Sequence, residues 1–165
     1  MMDLVDYVGA LIRLNDGKVV GKTRLQKIVY LLEMAGVGHK DIDFDYHNYG
    51  PFSSELAFAA DDAESLGYIK TKEHQGHHAV PYTVFRSTEH APAFDESELT
   101  EERADALTLM NECSALVLEI AATAVYLKNN GYDKTYWDEV KRRKPLKTTE
   151  KRKLAAERLI ENLGL

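Results

Sequence analysis

Thr23-Arg-Leu-Gln-Lys-Ile-Val-Tyr-Leu-Leu32, followed by Tyr49-Gly50-Pro51-Phe52-Ser53, decides the fold of this chain. The first stretch sets Leu25, Ile28, Val29 and Leu32 at helical spacing, with Thr23 as the expected cap. The second is a turn, because glycine frees the backbone and proline fixes φ. Ser53 or Ser54 then caps a third helix running to Leu66. Its inner side is Phe52, Leu56, Ala59 or Ala60, Ala63 and Leu66. Between the two stretches, Asp41-Ile-Asp-Phe-Asp-Tyr-His47 alternates polar with apolar, which predicts a strand. Upstream, Leu4, Val5, Val8, Leu11 and Ile12 predict a first helix from Asp3 to Leu14, closed by Asn15-Asp16-Gly17. Downstream, Tyr68 to Arg86 predicts a hairpin with Gln75-Gly76 near its tip.

Helix, strand, helix and hairpin in this order outline a winged helix, a fold that usually binds DNA. Residues 87 to 98 are polar and mark the expected boundary. A long helix is predicted from Thr100 to about Asn129, apolar on both sides. A short one around Tyr136, Trp137 and Val140 must stop before Pro145. Thr148 or Thr149 caps a last helix through Leu159 and Leu163. The expected class is therefore mainly α with a small β component. A winged-helix-like half, residues 1 to 92, carries a packed helical extension, residues 93 to 165.

The 165 residues are 44% hydrophobic and 29% charged, enough apolar mass for a real core. The formal charge of -6 gives no global attraction to nucleic acid or an anionic membrane. It is unevenly placed. Residues 1 to 132 hold 11 Lys and Arg against 21 Asp and Glu, and residues 133 to 165 hold 10 against 6. Such asymmetry predicts either a tail folded onto the acidic part or a different partner at each end. One cysteine, Cys113, and no apolar leader or span predict a cytoplasmic protein that does not enter membranes.

The two opening stretches, with Leu66-Gly67-Tyr68-Ile69 and Leu118-Glu-Ile-Ala-Ala-Thr-Ala-Val-Tyr-Leu127, resemble the Panacea domain across roughly residues 5 to 145. That group includes SocA-like antitoxins and YwgA-like proteins, and the pattern is nearer the YwgA-like branch. The resemblance implies a non-enzymatic role in binding another protein. That partner would be a toxin encoded nearby, neutralised directly or delivered to a protease. Lys22-Thr23-Arg24 and the bulky Phe52 depart from the antitoxin pattern.

The third helix is the element that enters the major groove in a DNA-binding winged helix. Groove contact needs Arg or Lys for phosphates and donors for base edges. Ser53 to Leu66 has neither Arg nor Lys. Its outward positions include Glu55, Phe58, Asp61 and Asp62. Carboxylates repel phosphate, so nucleic acid is disfavoured here and a protein contact is favoured. Tyr49, Phe52, Glu55, Phe58, Asp61 and Asp62 are thus the candidate partner-binding residues. The alternative is that Phe58 packs against the C-terminal helices.

Several other residues have plainer readings. Tyr49 packs beneath the turn or faces a partner. Gln26 is placed to bond a backbone group of the turn, and Lys27 to pair with a strand acid. His74, His77 and His78 could meet a metal, but an exposed hairpin tip explains them, and no cofactor is expected. Glu119, alone in an apolar stripe, either pairs with a cation from a packed helix or acts as a general base. Cys113 occupies a core position. The basic run Lys141-Arg142-Arg143-Lys144, with Lys147 and Lys151 to Lys153, is a solvated face or an acid-binding one. The first four would be the DNA contacts if the chain were a winged-helix regulator of transcription.

Overall fold

The computed structural model describes residues 2–165. It is mainly α with a small β component, as the sequence predicts. The first part contains α1 (Leu4–Leu14), β1 (Lys18–Val20), α2 (Lys22–Met34), β2 (Asp45–His47), β3 (Gly50–Phe52), α3 (Ser54–Ser65), β4 (Ile69–Gln75) and β5 (Pro81–Ser87). The second contains α4 (Glu98–Asn111), α5 (Ala115–Asn129), α6 (Tyr136–Arg143) and α7 (Glu150–Asn162). β1 returns to pair with β5, giving an antiparallel sheet in the order β1-β5-β4. β2 and β3 form a separate small hairpin.

Helix starts follow side-chain chemistry. Asp3, Ser53, Ser114 and Thr149 each accept a backbone N–H at the opening of α1, α3, α5 and α7. Thr23 does not cap α2. That helix starts two residues earlier, at Lys22 after Gly21 (φ 103°), whose N–H is held by the Thr83 carbonyl at 2.7 Å. The alternating run keeps its two faces, with Ile42, Phe44 and Tyr46 half-buried between exposed acids. Only Asp45–His47 pairs, because β3 is three residues long and the chain then enters α3. At the hairpin tip, His78 and Ala79 take positive φ while Gly76 does not. Gly76 is needed for space instead, since a Cβ there would lie 2.6 Å from the Val80 carbonyl oxygen.

The single long helix expected from Thr100 to Asn129 is two. The Arg24 guanidinium donates to the carbonyls of Met110 and Cys113, both at 3.0 Å, satisfying the end of α4. The Ser114 hydroxyl then accepts from Val117 N and opens α5. α5 is the axis of the molecule, buried from Val117 to Val125 and packed on α2, β3, α6 and α7. One continuous core takes Ile28, Leu31 and Leu56 from the first part and Leu118, Ile120 and Leu159 from the second. α3 packs on α1 through Leu56, Ala59, Ala60 and Ala63. Leu66 is 58% exposed and does not extend that inner face, because it follows the last turn. Among the described residues, no helix is long and apolar enough to cross a membrane.

Candidate functional site

A cleft of about 430 Å³ opens between the first turn of α2, the β2–β3 turn and one edge of α3. Its construction starts at Gln26, which is buried on α2. The Gln26 side-chain amide donates to the Ser53 carbonyl at 2.9 Å, and its oxygen accepts from Ser53 N at 2.8 Å. This two-way clasp fixes where α3 begins, and it is the bond to the turn that the sequence predicts. Ser53 itself is buried and caps the helix.

Lys27 does not pair with a strand acid. Its amine donates to the Pro51 carbonyl at 2.7 Å, inside the protein. Two more lysines hold the same hairpin from the other end of the chain. Lys144 donates to the Asn48 carbonyl at 3.1 Å, and the Lys147 amine sits 4.9 Å from the centre of the Tyr49 ring. Glu119 balances them, with its carboxylate 3.1 Å from Lys144 and 3.0 Å from Lys147. The expected cation for Glu119 is thus two cations, supplied by the α6–α7 region. Burial lowers the Lys27 amine to about 8, with Glu119 acting against that shift and Lys144 and Lys147 reinforcing it. Gly50 has φ 97° and no room for a side chain, since a Cβ would come 2.6 Å from Thr123 Oγ1.

The structure brings part of the expected set together. Tyr49, Phe52 and Asp61 line the cleft. Tyr49 is 55% exposed rather than packed beneath the turn, and Phe52 is half-buried against the His47 ring. Glu55, Phe58 and Asp62 are exposed on α3 outside the cleft. Phe58 is 68% exposed and is not covered by the C-terminal helices. Those helices lie on α5 instead.

The four cations considered for DNA each bond an acceptor of the protein itself, with Lys141 and Arg142 still exposed. Lys144 is 6% exposed and bound to Glu119. Lys141 donates to the carbonyls of Pro145 and Thr148. Arg142 and Arg143 both bond Glu139, whose carboxyl they hold down at about 2. Arg143 also lies over the Tyr46 ring. The tail does fold onto an acid, but that acid is Glu119 and not the carboxylates of α3. His77 and His78 are exposed at the hairpin tip, and His74 stacks on Tyr82. Among the described residues, no three His, Cys, Asp or Glu side chains converge as a metal site.

No protein-family model matches the chain. No solved structure matches it either. It is 28% identical over 153 residues to the Bacillus subtilis (strain 168) protein named "Uncharacterized protein YwgA", covering 90% of this chain and 86% of that one. That similarity agrees with the YwgA-like side of the motif resemblance.

Proposed function

We propose that this chain is a non-enzymatic protein-binding module of the cytoplasm, an antitoxin or protease adaptor that sequesters or presents a partner. Its first half is read as winged-helix-like, in the manner of the Panacea domain, with the groove-reading helix converted to a protein contact. One observation carries this reading. Phe58 stands 68% exposed on a helix whose outward charges are all acidic, beside a cleft edged by Tyr49 and Phe52. An aromatic anchor with a charged rim suits a partner segment that offers an apolar side chain and nearby cations.

The test is co-purification with the product of the adjacent gene. The triple variant Phe58→Ala, Asp61→Lys, Asp62→Lys should lose that product while keeping the intact chain's far-UV circular dichroism. Full capture by the variant would remove this face from the mechanism.

A further inference from the structure

The outward face of the β1-β5-β4 sheet collects cations from three distant parts of the sequence. Residues directly opposite in antiparallel strands point to the same side. The register sets Lys18, Arg86 and Lys70 in one row, Val20, Val84 and Lys72 in the next outward row, and Tyr82 with His74 beyond them. These eight positions contain no Asp or Glu. Lys18, Lys70, Lys72 and Arg86 are all exposed, and none has an ion pair among the described residues. The acids of β4 and the neighbouring end of α3 lie on the other side. Glu73 belongs to the opposite face of β4, and Glu64 is bonded to Thr71 on that same opposite face. The Tyr82 and His74 rings stack at 5.5 Å and 18°, and Tyr82 is 40% exposed.

We propose that this sheet face binds single-stranded nucleic acid, the cations meeting the phosphates and Tyr82 with His74 offering a stacking platform. Strands about 4.8 Å apart and residues about 3.4 Å apart give the four cations a footprint of about 10 by 7 Å. That area matches a short run of phosphates. Unpaired cations beside an exposed aromatic are the combination that holds a single strand without reading its sequence. A second copy of this chain fits less well. Its acidic α3 would bring Phe58, which needs an apolar recess, and the sheet face offers Val20 and Tyr82 exposed and Val84 buried, a raised surface rather than a recess lined on several sides. The expectation against nucleic acid rested on α3 and on the net charge, and neither describes this surface.

The experiment is fluorescence anisotropy of the full chain with a labelled oligothymidylate of about 16 nucleotides and a duplex of equal length, titrated with salt. The intact chain should bind the single strand at about 50 mM salt, with log K falling against log salt at a slope of about -3, or about 0.7 per phosphate contact. Lys70→Ala with Lys72→Ala should bring the slope to about -1.4 and weaken binding at least about tenfold. Tyr82→Ala should weaken binding about 5- to 100-fold and leave the slope unchanged. Arg142→Ala and Phe58→Ala should change nothing. No binding of the single strand, undiminished binding by the double lysine variant, or preference for the duplex overturns the proposal. So does equal competition by poly-glutamate, charge for charge, or a salt-labile self-association lost in the same lysine variant.

Discussion

On α3, the carboxylates of Glu55, Asp61 and Asp62 stand exposed with no ion pair among the described residues. At the end of α6, Lys141, Arg142, Arg143 and Lys144 each hold an acceptor within the protein. Both segments are dense in charge along the chain, but only the first leaves its charges without counter-groups among the described residues. Local charge density therefore says little about availability. What decides is whether the fold has already supplied a counter-group. Exposed pairs contribute little to stability, whereas a buried charge stripped of its partner is costly.

The largest test of this contrast is Glu119→Ala. It leaves Lys144 buried without a carboxylate and should cost about 3–5 kcal/mol in urea unfolding. Gln26→Ala comes next. It leaves the buried Ser53 N–H unpaired, while the Ser53 carbonyl keeps its bond from Ala57 N, and should cost about 1–3 kcal/mol. A third test uses pH. Lys27 titrates at about 8 in the fold against its ordinary 10.5, so between those values the unfolded chain holds more protons. Its contribution to stability therefore rises with pH across that window, and Lys27→Met should flatten the rise. The smallest effect is expected on α3. Phe58→Ala and Asp62→Lys should each change unfolding free energy by about 0.5 kcal/mol or less, because neither group is buried or paired. A large loss there would mean that the face is structural, and the contrast would fail.

Much of this was legible in the sequence because it depends on neighbours. The 3.6-residue period separates Leu56 and Ala63 from Phe58 and Asp61. The Gln26 clasp was legible too, since an amide beside an apolar stripe faces whatever chain covers it. The break between α4 and α5 was hidden. Leu109, Met110, Cys113, Leu116 and Val117 keep helical spacing across it, and the capping guanidinium comes from Arg24, 86 residues before Met110. The fate of Lys144 was hidden for the same reason. In the sequence it is the fourth of a basic run, and only packing turns it onto Glu119 and Asn48. The sheet row of Lys18, Arg86 and Lys70 needs a register between strands that no local pattern supplies.

The lysine grip on the β2–β3 hairpin has a bearing on how this protein can be divided. Two of its three amines come from beyond residue 140, and the carboxylate that neutralises them, Glu119, comes from α5. A fragment severed in the 87–98 connector would keep every residue lining the cleft, yet lose the anchors at Asn48 and Tyr49 and the lone counter-charge near Lys27. The recognition surface is thus owned by the whole chain, and trimming to the first half would yield a collapsed doorway.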